Sequence, residues 1–256
     1  MLQQRRQAIL DYIKCNGEIR LSNLKIQYPE VSEMTLRRDL DYLAEQHLIL
    51  RTHGGAKAFI PEPVKIEQNY IFSKRLTENP EAKAEVARLA LPFISEGMSI
   101  YLDAGSTMLS FARLLPDIPF YIFTNAPNIA IELASRNHPE IVLLGGKLKK
   151  STISLTGPFA MDCLDKVNID IAFIATSGFS SESGFTNAYI NECELKRKVM
   201  QRAKKVIVLM DHTKINRSLP YTFADTEDVD VIITDRPMDP ALASILSDKE
   251  ILVITG

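Results

Sequence analysis

From residue 100 onward, seven short runs of apolar, often β-branched residues recur, and each stops at polar or small residues. They lie at 100–102, 119–123, 140–144, 170–175, 205–210, 229–234 and 250–254, and helix-like stretches separate several of them. Strands apolar on both faces and alternating with helices predict a mostly parallel sheet covered on both sides, an α/β fold. Such sheets bind ligands outside the carboxyl ends of their strands. In this chain those ends carry the polar residues.

The first run ends in Asp103-Ala104-Gly105-Ser106-Thr107 and opens into the helical pattern MLSFARLL. Amides at a helix start have no intrahelical partner, and the helix dipole adds positive charge there. Glycine permits close approach and the two hydroxyls add donors, so the turn suits a phosphate. Asp103 would then accept from hydroxyls attached to that phosphate. The same composition also serves an ordinary helix cap. Further strand ends supply Thr124-Asn125, Gly145-Gly146-Lys147, Gly178, the turn-like Gly184-Phe185-Thr186-Asn187, and Asp211 with Lys214. Together they predict a site for a small, polar, anionic molecule. Glu192, Glu194 and Lys196 fall near the start of a helix with Leu195, Val199 and Met200 inward, where the dipole alone favours carboxylates.

The first sixty residues follow another pattern. A helix from about Gln3 to Lys14 stops at Asn16-Gly17, and a second short one follows with Ser22 as its expected cap. A third helix, 33–46, buries Leu36, Leu40 and Leu43 as one stripe, which leaves Thr35, Arg37 and Arg38 largely outside it. A strand at 47–51, a turn at 52–56 and a return through Lys57-Ala58-Phe59 complete a short hairpin. Three helices and a hairpin describe a winged helix-turn-helix, with arginines able to reach bases and phosphates. A docking module whose arginines pair with Asp39 and Asp41 fits the same periodicity. Residues 1–58 hold nine Lys and Arg against seven Asp and Glu, carried by Arg5-Arg6 and Arg37-Arg38.

Composition excludes several classes. Three scattered cysteines without C-x-x-C spacing suggest neither a disulfide framework nor zinc, and point to a reducing cytoplasm. The four histidines lack metal-binding spacing, so neither metal nor cofactor is expected. No run approaches the roughly 18 apolar residues that span a membrane, and MLQQRRQAIL has no signal core.

The run VSEMTLRRDL at 31–40, followed by LILRTHGGA at 48–56, resembles the N-terminal domain of the DeoR family of bacterial transcriptional regulators. DAGST at 103–107, Thr124-Asn125, Leu144-Gly145-Gly146, Gly184-Phe185-Thr186, Glu192-Cys193-Glu194 and DHTK at 211–214 resemble that family's C-terminal sensor domain. The resemblance implies a winged helix-turn-helix at 1–58, a linker at 59–78, and at 79–256 an effector domain similar in fold to ribose-5-phosphate isomerase. It implies operator contacts from Ser32, Thr35, Arg37, Arg38, Arg51, His53 and Gly54. It also implies phosphate binding by Gly105, Ser106 and Thr107, with Asp103, Thr124, Asn125, Gly145, Gly146, Thr186, Glu192, Asp211 and Lys214 as further ligand neighbours. The chain departs from the family at Tyr28-Pro29-Glu30, one residue longer than usual, and at Met108 and Ile215.

The expected protein is therefore a cytoplasmic repressor of a carbohydrate operon. It would bind double-stranded operator DNA as a homodimer or homotetramer and respond to a phosphorylated sugar or related metabolite. The alternative is a sugar-phosphate isomerase with an appended DNA-binding-like domain, using Asp103, Glu192 or Glu194 as base and Lys214 as cation.

Overall fold

Leu36, Leu40 and Leu43 are buried as one stripe, and the first unit assembles around them. The computed structural model describes residues 2–46, 48–58 and 69–256, and contacts divide the chain into two units, Met1–Lys65 and Ile66–Gly256. In the first unit the order is α1 (Leu2–Asn16), β1 (Glu18–Arg20), α2 (Leu21–Gln27), α3 (Glu33–Glu45), β2 (Ile49–Thr52) and β3 (Gly55–Ala58). Ile9, Leu10 and Ile13 of α1, Leu24 of α2, Ile19 and Ile49 complete the core around α3. This is a winged helix-turn-helix.

Two details differ from expectation. Helix α2 begins at Leu21, with Arg20 at its N-cap position and no side-chain cap, so Ser22 lies within the first turn. The hairpin is also not alone. Residues 18–20 pair with β3 to give the antiparallel order β1-β3-β2. Of the expected strand at 47–51 and its return at 57–59, His47 and Phe59 lie outside the described residues, as do residues 60–68 of the expected linker.

The central position of β3 explains Gly55. A Cβ there would lie 2.0 Å from the Ile19 carbonyl oxygen, a backbone atom that cannot swing away. Gly55→Ala should spread the β1–β3 pairing and cost about 1–3 kcal/mol, the usual range for overpacking. Hydrogen exchange in α1–α3 would then accelerate about fivefold to more than a hundredfold, since about 1.4 kcal/mol is one decade. Unchanged exchange in α1–α3 would contradict this account.

The second unit contains a seven-stranded, entirely parallel sheet. Its strands are β4 (Ser99–Leu102), β5 (Tyr121–Thr124), β6 (Glu140–Leu143), β9 (Ile169–Ala175), β12 (Ala203–Leu209), β14 (Val231–Thr234) and β15 (Leu252–Thr255), in the order β15-β14-β12-β9-β4-β5-β6. They correspond to the seven apolar runs. Alternation within the strands divides the core in two. Ile100, Leu102, Ile171, Phe173, Ile207 and Leu209 pack beneath α5 (Pro80–Ala90), α6 (Ser106–Leu114) and α7 (Pro127–Leu133). Tyr101, Ala172, Ile174, Val206 and Val208 pack beneath α8 (Pro158–Leu164), α9 (Ile190–Arg202) and α10 (Pro240–Asp248).

Three short elements were not anticipated. Residues 69–77, read as linker, form helix α4 (Asn69–Thr77); Phe72 and Leu76, one turn apart, anchor it on the α5–α6 side of the core. A hairpin joins β7 (Lys147–Lys149) to β8 (Ser154–Thr156). The segment read as a turn at 184–187 is strand β11 (Gly184–Asn187), paired between β10 (Gly178–Ser180) and β13 (Tyr221–Ala224). Helix α5 ends at Ala90 in a short 3₁₀ turn containing Pro92, as the proline requires.

Candidate functional site

In the first unit, Ser32 caps α3: its Oγ accepts from the Thr35 amide at 3.2 Å and lies 2.9 Å from Thr35 Oγ1. With the leucine stripe inward, Arg37 and Arg38 lie on the exposed face of the helix. Arg37 Nη2 meets Glu33 Oε1 at 2.9 Å, but the two side chains are 54% and 57% exposed. Exposed pairs of that kind contribute about 0.2–1 kcal/mol, so Glu33 holds Arg37 only weakly. Among the described residues Arg38 makes no ion pair. Asp39 faces the other way and is 1% exposed, where it accepts from Arg5 Nε at 2.7 Å and Arg6 Nε at 2.8 Å. The Arg5-Arg6 cluster is therefore occupied internally, because a buried carboxylate needs counter-charge and hydrogen bonds. Arg51 braces β2 against α3 through Asp41 at 2.8 Å and also donates to the Gly55 carbonyl. His53 and Gly54 form the exposed turn between β2 and β3, and the Gly54 carbonyl accepts from the Leu21 amide at 2.8 Å.

In the second unit, strand order reverses between β4 and β9. Chain connections leave β4 toward β5 and β6 on one side and run from β9 toward β15 on the other. That reversal opens a crevice at the carboxyl ends of the two strands. A cavity of about 450 Å³ lies there, lined by Gly105, Ser106 and Thr107 and by Lys83, Lys196 and Lys214 among others. Gly105 is the N-cap residue of α6, so the first amides of that helix and the hydroxyls of Ser106 and Thr107 belong to this wall.

Asp103 sits beneath that wall and is buried. It accepts from the Ala104 amide at 2.8 Å and the Ala175 amide at 2.9 Å, and pairs with Lys196. Lys196 also donates to the Ala175 carbonyl at 2.8 Å. Burial pushes the Asp103 carboxyl above its ordinary pKa, while the Lys196 ammonium and the two amides pull it back. Asp103 thus ties the ends of β4 and β9 to α9, and three donors already occupy its oxygens. One turn earlier on α9, Glu192 Oε1 accepts from Thr152 at 2.6 Å and Ser154 at 2.8 Å, and Oε2 accepts from Asn187 at 3.1 Å. Glu192, Thr152 and Asn187 line the cavity. Glu194 is exposed.

After β12, Asp211 Oδ1 accepts from the Thr213 amide at 3.0 Å and from its hydroxyl. Asp211 Oδ2 is buried without a hydrogen-bond partner and lies 3.6 Å from Lys214 Nζ. Both residues line the cavity.

The structure therefore brings Gly105, Ser106, Thr107, Glu192, Asp211 and Lys214 around one cavity, with Asp103 beneath it. Thr124, Asn125, Gly145, Gly146 and Thr186 do not line it. Thr124 Oγ1 bridges strand ends, donating to the Leu102 carbonyl at 2.7 Å and accepting from the Ala126 amide at 3.1 Å. Asn125 Nδ2 donates to the Leu155 carbonyl at 3.2 Å. Gly145 and Gly146 are exposed, and a Cβ on Gly146 would lie 2.6 Å from the Thr156 carbonyl oxygen, so this glycine allows the hairpin to close. Thr186 Oγ1 accepts from the Leu219 amide at 3.0 Å. Conversely, Lys83 and Arg75 line the cavity although the sequence does not single them out, and so does Lys196, which the sequence places only near the start of its helix. The signal for Lys196 was its spacing, one helical turn from Glu192 on the same face. Among the described residues, no three His, Cys, Asp or Glu side chains gather as a metal site requires, and no helix is long and apolar enough to cross a membrane.

Comparison with known proteins covers both units. Residues 5–61 match the family model of the DeoR-like helix-turn-helix domain, and residues 78–236 match that of the DeoR C terminal sensor domain. The transcriptional repressor GlcR of Bacillus subtilis is 36% identical over 244 residues, which cover 95% of this chain and 92% of that protein. The glycerol-3-phosphate regulon repressor of Escherichia coli is 29% identical over 249 residues, covering 97% and 96%. The L-fucose operon activator of Escherichia coli is 33% identical over 235 residues, covering 92% and 96%. Among solved structures, ribose 5-phosphate isomerase A of Methanocaldococcus jannaschii aligns at 20% identity with a TM-score of 0.41, covering 54% of this chain and 55% of that one.

Proposed function

The chain belongs to the DeoR family of transcriptional regulators, DNA-binding proteins rather than enzymes, and on that premise we propose that its cavity senses a phosphorylated sugar or related metabolite. Occupancy of the cavity changes the affinity of the first unit for its operator, and the protein acts as a repressor of a carbohydrate operon. The reading is supported by one observation above all. At the point where strand order reverses, the N-terminus of α6 shares a cavity with Lys83, Lys196 and Lys214. Helix-start amides and ammonium groups together suit a phosphate, and the neighbouring Glu192 and Asn187 suit hydroxyls. Two of the three relatives named above are repressors, which favours repression over activation here.

Operator contact falls to Ser32, Thr35, Arg37 and Arg38 on α3, with Arg51, His53 and Gly54 of the wing. Two copies, as a dimer or within a tetramer, present two recognition helices to half-sites one helical turn apart. Switching requires the ligand to prefer one of two states. A preference of about 100-fold, roughly 2.7 kcal/mol, is within ordinary coupling energies.

A thermal-shift screen against phosphorylated sugars, polyols and sugar acids tests the proposal, each hit then being assayed for operator release at one fixed salt concentration. A panel without a shift, or hits that leave operator affinity unchanged, would refute it. Ser106→Asp supplies a sharper check. A carboxylate among the α6 amides should abolish the ligand-induced shift and the release while operator binding persists. Normal release by this variant would move the sensor elsewhere.

A further inference from the structure

Lys83 is a buried lysine on α5 that lines the cavity. Its Nζ donates to the carbonyl oxygens of Arg75 and Glu78, at the end of α4 and just beyond it. An ammonium has three donors, so one is left over. Among the described residues no carboxylate lies within ion-pair distance of Lys83, whereas Lys214 faces Asp211 at 3.6 Å and Lys74 faces Glu78 at 3.8 Å. A buried cation without counter-charge is unfavourable. Burial accordingly lowers the Lys83 pKa, and Asp211 opposes that effect from a distance.

We propose that Lys83 binds the anionic group of the ligand and, through its bonds to the Arg75 and Glu78 carbonyls, fixes the corner between α4 and α5 when the cavity fills. The inference rests on the reading of the cavity as an anion site and adds to it a defined contact for Lys83 and a consequence of that contact. The anion supplies the counter-charge that the fold withholds from Lys83, and the third donor reaches it without releasing either carbonyl. Arg75 and Glu78 themselves line the cavity. Helix α4 begins at Asn69, directly after residues 59–68, which lead covalently from the first unit. Stiffening its end therefore acts on the part of the sensor unit nearest in sequence to the DNA-binding unit.

Hydrogen–deuterium exchange on the full chain, with inorganic phosphate as the probe, tests this. In the wild type, phosphate should slow exchange both at residues 105–109 and at residues 74–79. Lys83→Met, which removes the charge but keeps much of the length, should weaken phosphate binding about tenfold or more, as loss of a charge-assisted contact requires. At saturating phosphate this variant should still slow exchange at 105–109, but no longer at 74–79. Slowing confined to 105–109 in the wild type, or unchanged phosphate affinity in Lys83→Met, would overturn the role of Lys83 while leaving the anion site intact. No response at 105–109 in the wild type would overturn the anion site and this inference with it. The wild-type measurement decides even if the variant fails to fold.

Discussion

Replacing Arg37 and Arg38 together with alanine should reduce operator binding to the non-specific level and leave the sensor unit untouched. Each arginine contact to a base edge is worth about 1–3 kcal/mol of discrimination. Two per half-site make about 2–6 kcal/mol, or roughly thirtyfold to more than ten-thousandfold in affinity. Losses of that size take a specific operator complex into the range of non-specific binding. The fold should tolerate the change. Arg37 surrenders only an exposed pair with Glu33, and Arg38 has no ion pair to lose among the described residues, so stability should move by no more than about 1 kcal/mol. Arg5 and Arg6 would make misleading substitutes, because removing either strips counter-charge from the buried Asp39 and weakens the domain itself. The measurement is a binding titration at several salt concentrations beside a thermal melt. Each lost phosphate contact should flatten the dependence of log K on log salt by about 0.9, whereas a lost base contact should relax sequence preference. Retained operator affinity in a folded double variant would remove α3 as the reading helix.

The large elements were legible because long-period signals survive in a single sequence. Leu36, Leu40 and Leu43 share one helical face whatever surrounds them, and the seven apolar runs mark buried parallel strands by composition alone. What escaped depends on partners distant in the chain. Strands of three or four residues, such as Gly184–Asn187, carry too few positions to show alternation, and their pairing with 178–180 and 221–224 is visible only in three dimensions. Helix α4 is short and follows a proline-containing stretch, and only Phe72 and Leu76 signal it. Of the polar residues read at strand ends, Gly105, Ser106, Thr107, Asp211 and Lys214 line one cavity. The sequence does not decide which of the strand-end residues turn toward the cavity, since Thr124 and Thr186 spend their hydroxyls on neighbouring backbone. Lysines present the converse difficulty. Lys83 and Lys196 resemble solvated helical lysines until the sheet edge is placed against them.

Lys196→Met should produce a large loss of stability in the sensor unit. The substitution leaves Asp103 buried with two amide donors and no counter-charge. Breaking a buried ion pair from one side costs about 3–5 kcal/mol, a large part of a typical domain's stability. The direction with pH follows from the raised pKa of Asp103. A carboxyl whose folded pKa exceeds its unfolded value binds more protons in the folded state between the two, so stability falls as pH rises through that interval. In the wild type Lys196 pulls the folded value down and keeps the interval narrow; without Lys196 it widens upward. Urea denaturation should therefore show the variant regaining stability as pH falls below neutral, more steeply than the wild type. Adding Asp103→Asn should recover part of the loss near pH 7, because the stranded charge is then gone. A pH-independent deficit, or none beyond about 1 kcal/mol, would mean that Lys196 is not the counter-charge of Asp103. This pair joins the ends of β4 and β9 to α9 where the strand order reverses, beneath the wall of the cavity.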